Sequence, residues 1–187
     1  MATELVKYRF TVKDYHRMGE VGIFAEDDRV ELVEGEILEM APIGPGHAGG
    51  VNRFLNAFLP LQVEGKAIMS VQDPIRLEEH SEPQPDLALL QPRPDFYSQG
   101  HPGPGDVLLV VEVMERSAGY DREVKVPLYA RFGIPEVWLV DLERTLIEVY
   151  RSPTLQCYQA VQRFQRGQSL SPQAFPELAL AVDIILG

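Results

Sequence analysis

Two carboxylates in this sequence lie where an apolar strand would not ordinarily carry a charge. Asp86 begins the run Asp86–Leu90, and Glu112 interrupts the nearly continuous apolar run 106–114. An isolated buried carboxylate is costly, so each of these groups must be paired or must bind a cation. If the two strands are neighbours, the pair can share one Mg²⁺ or Mn²⁺, which would polarise a phosphate and activate a bound water. The spacing equally allows Glu112 to face solvent or to pair with an arginine.

Lys125 is the cationic candidate near these acids. It lies beside the apolar stripe of a helix expected over 121–132, whose apolar residues recur every four positions: Val124, Leu128 and Phe132. Pro127 removes one backbone donor, so we expect this helix to start late or bend there. From there its ammonium could reach Glu112, where it would orient or deprotonate a water or neutralise charge on phosphorus. The alternative is an exposed lysine that pairs with Asp121 on its own helix.

The elements that must position these side chains follow from periodicity and turn chemistry. Thr11 is typical of a helix N-cap, and a short helix should follow it to about Met18. The sequence 29–40 predicts two strands joined by a tight turn at Glu34-Gly35, and 46–62 predicts a long amphipathic helix. Further strands are expected over 68–77, 86–90, 106–114, 137–140, 145–150 and 155–164. This order predicts an α/β fold, a mixed sheet with helices on its faces.

Composition limits the possible architectures. With 187 residues and 45% hydrophobic content, the chain should form one domain, residues 1–187. Its single cysteine, Cys157, excludes an internal disulfide framework and a Cys-rich zinc cluster. Because the sequence shows neither a membrane-spanning apolar run nor a secretory signal, we expect a cytoplasmic location and no membrane partner. The net charge of −11 weighs against tight binding to duplex DNA, which usually depends on lysine and arginine.

Several motifs, taken in order, resemble one known family. They are Glu31–Ile37 followed by His47, Gln84–Leu87, Val110–Val113, Ser117–Ala130 and Gly133–Asp141. Together, over roughly residues 10–185, they resemble the Uma-two family of restriction-endonuclease-like proteins, which belongs to the PD-(D/E)XK nuclease superfamily. Each motif is short, but their combined order is specific.

The resemblance implies a restriction-endonuclease-like mixed sheet flanked by helices, with an added N-terminal hairpin. The superfamily pattern is Asp on one strand and Glu-X-Lys on the next, which Asp86 and Glu112 match. Met114 stands where the pattern has lysine, so the resemblance implies that Lys125 has taken over the lysine's role. An additional acid near the metal would be Glu31 or Glu34, and Glu34 is the one we expect as a metal ligand. The alternative is that these glutamates face solvent, as is common beside a glycine turn in a hairpin.

The function implied by the resemblance is hydrolysis of a DNA phosphodiester with Mg²⁺ or Mn²⁺ as cofactor, by a chain that could act as a homodimer. His47 would contact a phosphate or a metal-bound water, or else serve only as a cap or surface residue. Three aromatic residues are expected in the core rather than as base-stacking platforms: Tyr129, Trp138 and Tyr150.

The acidic charge and Met114 favour a different class, a nuclease-derived module that binds nucleic acid or a protein without cutting. A metal-binding or structural dimer with no nucleic-acid role is a third possibility.

Overall fold

The computed structural model describes residues 6–25, 27–114 and 118–187, and shows an α/β fold built on a six-stranded mixed sheet. The helices in that part of the chain are α1 (Val12–Glu20), α2 (Pro45–Val63), α3 (Val126–Arg131) and α4 (Val182–Leu186). A single helical turn (Ala118–Tyr120) and a π turn (Asp121–Lys125) precede α3, and a short 3₁₀ turn spans Pro104–Asp106. The strands are β1 (Val30–Val33), β2 (Glu36–Glu39), β3 (Ile68–Ser70), β4 (Leu87–Leu90), β5 (Val107–Met114), β6 (Glu136–Asp141), β7 (Leu146–Pro153), β8 (Tyr158–Gln165), β9 (Ser169–Leu170) and β10 (Leu180–Ala181).

The main sheet has the strand order β3-β4-β5-β6-β7-β8, in which only β5 and β6 run parallel. A parallel pair needs a crossover connection, and here the π turn and α3 supply it. Alternate residues of the central strands pack on α2 and α4 on one face of the sheet and on α3 on the other. The expected mixed α/β sheet flanked by helices is therefore confirmed. In the described residues no helix is long and apolar enough to cross a bilayer.

Local signals explain the N-terminal elements. Thr11 caps α1 through a reciprocal capping box with Asp14. The expected hairpin is formed by β1 and β2, joined by Glu34 and Gly35, which both have positive φ, 51° and 79°. Two positive φ values are what a two-residue hairpin turn requires. A side chain at Gly35 would also collide with the backbone and side chain of Arg9.

The helix expected over 121–132 is divided by Pro127. The amide of Val126 donates to the carbonyl of Asp121, five residues back, so Asp121–Lys125 forms a π turn and α3 begins only at Val126. Pro127 lacks a backbone donor and its ring crowds the preceding turn, which favours such a break. The expected late start or bend at Pro127 is therefore present in the form of this π turn. Turns of this kind are common at functional sites.

The expected strand over 68–77 is wrong beyond Ser70. Gln72 has a φ of 55°, which turns the chain out of the extended conformation. The amides of Ile75 and Leu77 then bond to Pro83 and Ser81 rather than to a neighbouring strand. Three short elements, β9, β10 and α4, were not expected, because their sequences are too short for a periodic pattern.

Candidate active site

The carboxylates of Asp86 and Glu112 meet where β4 begins. Strands β4 and β5 are antiparallel neighbours with Leu87 opposite Val111, which brings Asp86 beside Glu112. The amide of Asp86 donates to Glu112 Oε2 (3.3 Å), and the amide of Val113 donates to Asp86 Oδ2 (2.8 Å). Asp86 and Glu112 are 8% and 3% exposed, so both carboxylates are nearly removed from solvent.

Lys125 reaches the same place from the π turn. Its Nζ lies 3.3 Å from Glu112 Oε1 and 3.1 Å from Glu31 Oε2, and the residue is only 4% exposed. Its alkyl stem is therefore packed, and its ammonium is fixed between two carboxylates. The structure thus does not place Lys125 as an exposed helix lysine.

Met114 is buried on the same face of β5 as Glu112, two residues further along the strand. Its side chain packs among the apolar residues that contact α3. The positive charge beside Glu112 therefore comes from Lys125, in the helix layer that covers this face, while Met114 contributes apolar packing.

Tyr129 contacts the site as well as the core. Its hydroxyl donates to Glu112 Oε1 (2.8 Å), and the residue is completely buried. The sequence prediction that Tyr129, Trp138 and Tyr150 are core residues agrees with their burial. The additional role of Tyr129 could have been found from its spacing, because residues four apart on a helix share a face and Tyr129 follows Lys125 by four.

His47 approaches from the start of α2. A side chain at Gly50 would come within 3.0 Å of Val113 Cγ1, so α2 packs closely on β5 at that point. One turn earlier on the helix, His47 Nε2 lies 2.9 Å from Asp86 Oδ2. The histidine therefore restrains the orientation of the Asp86 carboxylate.

Glu31, rather than Glu34, is the additional acid at the site. Glu34 lies in the hairpin turn, where its carboxylate bonds Arg131 (2.8 Å) and is 42% exposed. Glu31 is 3% exposed and accepts from Lys125 and from the amide of Gln84 (3.0 Å). The turn geometry thus directs Glu34 to Arg131 rather than to Lys125, and a role of Glu34 as a metal ligand stays a prediction.

The electrostatics of the cluster favour an added positive charge. Burial raises the pKa of the Glu112 carboxyl to about 8, opposed by the attraction of Lys125 and reinforced by the charges of Asp86, Asp121 and Glu31. Burial alone would lower the pKa of Lys125, but the charges of Glu112 and Glu31 raise it above its ordinary value. The neighbouring carboxylates Asp86, Asp121 and Glu31 therefore favour a proton or a cation at Glu112.

The donor set suits a hard divalent cation that keeps water ligands. Asp86 and Glu112 present carboxylate oxygens, which Mg²⁺ and Mn²⁺ prefer. Across residues 6–25, 27–114 and 118–187, no group of three or more His, Cys, Asp or Glu side chains could hold a metal ion. A cation at the Asp86–Glu112 pair would therefore take its other ligands from water or substrate, as Mg²⁺ commonly does.

Two comparisons with known proteins bear on the family and the fold of the chain. The model of the Uma2 family, described as "Putative restriction endonuclease", matches residues 12–183. A crystal structure from Anabaena variabilis ATCC 29413, described as a putative nuclease belonging to DUF820, matches with a TM-score of 0.74 and 15% sequence identity. That match covers 95% of this chain and 97% of the other, and at this identity it shows a shared fold. No curated protein matched the chain.

Proposed function

The chain belongs to the Uma2 family, and we propose that it is a metal-dependent nuclease that hydrolyses phosphodiester bonds in DNA. The observation that carries this proposal is the meeting of Asp86, Glu112 and Lys125 at the end of two neighbouring strands. These are the residue types that the nuclease pattern requires, and they converge although Lys125 comes from a different element. They are connected by the β4–β5 register and by three contacts, two backbone hydrogen bonds and the Lys125–Glu112 pair.

Asp86 and Glu112 are the residues that would hold Mg²⁺ or Mn²⁺. A bound divalent cation would supply Lewis-acid polarisation of the phosphate and a lowered pKa for an attacking water. The chain's own contribution is to hold both carboxylates still: His47 and the Val113 amide fix Asp86, while Tyr129 and Lys125 fix Glu112. Such preorganisation removes the need for reorientation when charge develops.

Lys125 acts as a fixed positive charge in this proposal. An ammonium 3.1 Å and 3.3 Å from two carboxylates is strongly favoured in its charged form. A protonated lysine cannot take a proton from water, so its contribution is to orient the water and to offset negative charge on the phosphate. Of the roles considered for Lys125, this geometry favours the electrostatic one over that of a general base.

DNA is the substrate class that we propose, although the net charge of −11 opposes long-range attraction to a polyanion. Contacts with phosphates must then come from local groups and from the cation at the site.

We also propose a homodimer, because two-fold symmetry would present one site to each strand of a duplex.

The test is a cleavage assay on supercoiled plasmid, single-stranded DNA and RNA, with Mg²⁺, with Mn²⁺ and with EDTA. We expect metal-dependent cleavage of DNA that Asp86→Ala abolishes. Asp73→Asn is the matched control, because its carboxylate accepts a hydrogen bond from Ser70 at the exposed edge of the sheet. Equal cleavage by wild type and Asp86→Ala, or cleavage that persists in EDTA, would contradict the proposal.

A second candidate is a module that binds nucleic acid or a protein partner without cutting. The specific observations in its favour are the acidic charge and the presence of Met114 at the lysine position of the nuclease pattern. The position of Lys125 weakens the second of these. Salt-sensitive retention of DNA in a gel-shift assay, with no cleavage under any metal condition, would favour this candidate.

A further inference from the structure

The face of the sheet that carries Glu112 also carries two other buried acids. Glu112 on β5 pairs with Leu139 on β6, and Leu139 pairs with Glu148 on β7, so the three residues form one row across the sheet. Asp141, two residues after Leu139, lies on the same face of β6. Glu148 and Asp141 are 2% and 3% exposed. In this row the carboxylates of Glu112 and Glu148 lie on either side of Leu139, on the face of the sheet that packs against α3.

Arg122 on the π turn holds the second carboxylate of this row. Its Nε and one terminal nitrogen both lie 2.9 Å from Glu148 Oε2, and the same terminal nitrogen lies 3.7 Å from Asp141 Oδ2. Three residues later on the same turn, Lys125 contacts Glu112. The π turn thus contributes two cations to this row: Arg122 pairs with Glu148 on one side of Leu139, and Lys125 pairs with Glu112 on the other.

We propose that Arg122, held by Glu148 and Asp141, is a positioning residue that sets the rotation of the π turn and so fixes Lys125 against Glu112. This inference rests on the proposed function in that Lys125 is taken as the cation of the active site. Arg122 lies on the far side of Leu139 from Glu112 and acts only through the turn.

The physical reason lies in the geometry of the turn. A π turn has one more residue per hydrogen-bonded ring than an α-helix, and it is held here between a single helical turn and Pro127, which donates no backbone hydrogen bond. Its backbone therefore constrains rotation less than a continuous helix would. Arg122 and Lys125 move together when the turn rotates, so the pairing of Arg122 restricts the position of the Lys125 ammonium.

Glu148 offers a matched control, because a second arginine contacts its other oxygen. Arg163 on β8 lies 2.9 Å from Glu148 Oε1. Arg122→Met and Arg163→Met each remove one arginine from the same carboxylate, but only Arg122 is on the π turn. A general loss of charge balance at Glu148 would affect both variants, whereas loss of positioning would affect only the first.

The first measurement does not depend on catalysis. Lysines are labelled with an amine-reactive ester, and the modification rate of Lys125 is compared by mass spectrometry with that of Lys7, whose side chain is 81% exposed. In the wild type, Lys125 should be strongly protected. We expect its labelling rate to rise at least several-fold in Arg122→Met and to stay at the wild-type level in Arg163→Met. Equal protection of Lys125 in both variants would overturn the inference.

The second measurement is kinetic. With Mn²⁺ affinity measured by calorimetry, we expect Arg122→Met to lower kcat by roughly tenfold to a hundredfold, the range typical of a small displacement of a catalytic group. KM and Mn²⁺ affinity should remain near the wild-type values, and Arg163→Met should keep wild-type kcat. A kcat unaffected by Arg122→Met would also overturn the inference.

The outcomes separate the two proposals. If no protein cleaves nucleic acid, the proposed function fails, while the labelling of Lys125 still decides whether Arg122 positions it. Should Arg122→Met not fold, Glu148→Gln takes its place, because it keeps the side-chain volume and weakens the same pair from the strand side. Lys125 must then become more reactive in Glu148→Gln than in Arg163→Met for the inference to stand.

Discussion

The raised pKa of Glu112 gives the metal-free protein a specific pH dependence of stability. Burial places this pKa at about 8 in the folded protein, compared with an ordinary value of 4.5. Between these values the folded state binds a proton that the unfolded state has released. The free energy of unfolding must therefore fall as pH rises, with the contribution complete below the lower value and lost above the upper one.

The size of the effect follows from the same two values. Each unit of pKa difference corresponds to about 1.4 kcal/mol. The Glu112 contribution to the free energy of unfolding should therefore drop by roughly 2 kcal/mol between about pH 6 and pH 8. Glu112→Gln cannot titrate, so its free energy of unfolding should lack this decline.

The assay is urea unfolding in EDTA at several pH values, followed by tryptophan fluorescence and circular dichroism. The quantity compared is the difference in unfolding free energy between wild type and Glu112→Gln at each pH, which removes the contribution of all other titrating groups. Glu39→Gln, an exposed change on β2, should retain the wild-type slope. Saturating Mn²⁺ should flatten the wild-type slope, because a cation then takes the place of the proton.

Parallel slopes for wild type and Glu112→Gln would refute the reasoning. They would mean that Glu112 is ionised throughout this range and that Lys125 compensates its burial completely. The folded, metal-free protein would then hold no proton at Glu112 that a bound cation could replace.

Three further changes test individual contacts. Asp86→Asn should abolish Mn²⁺ binding in calorimetry, and equal binding by both proteins would contradict this. Above about pH 8, where Glu112 is ionised, it should leave the metal-free protein at least as stable as wild type, because it removes repulsion with Glu112. Lys125→Met keeps the alkyl stem, so circular dichroism should show an intact fold while kcat falls by about 10²-fold or more and Mn²⁺ affinity changes far less. Tyr129→Phe should lower the free energy of unfolding in urea by about 1 kcal/mol through loss of the hydrogen bond to Glu112, and an unchanged midpoint would show that the hydroxyl contributes nothing.

Local chemistry made much of the fold predictable. The Thr11 capping box, the Glu34-Gly35 turn and the effect of Pro127 each depend on residues close together in sequence. The chain between β3 and β4 was not predictable in the same way, because its apolar residues suggest a strand while its amides bond within a loop. Burial of Ile75 and Leu77 is compatible with either arrangement, and a pattern of apolar residues does not distinguish them.

The residues of the candidate site likewise fall into those that the sequence indicates and those that depend on long-range packing. Asp86 and Glu112 stand out because a charge in an apolar strand needs an explanation that is visible in the sequence. The choice between Glu31 and Glu34 depends on how the hairpin packs against 82–84, where the amide of Glu82 bonds Leu32 and the amide of Gln84 bonds Glu31. His47 likewise depends on the close packing of α2 at Gly50. These are long-range contacts, which neither spacing nor propensity specifies.

In the proposed active site the cation comes from a helix rather than from a strand, and this changes what the site depends on. A lysine at position 114 would be fixed by the register of β5, which eight strand residues and two neighbouring strands maintain. Lys125 instead depends on the rotation of a short π turn, and Pro127 just after that turn donates no backbone hydrogen bond. Two ion pairs join that turn to buried strand acids, Lys125 with Glu112 and Arg122 with Glu148, and supply restraint from the sheet side. Buried ion pairs often add little net stability because desolvation offsets their attraction. Their presence on this face is better explained by the need to hold one ammonium within 3.3 Å of one carboxylate.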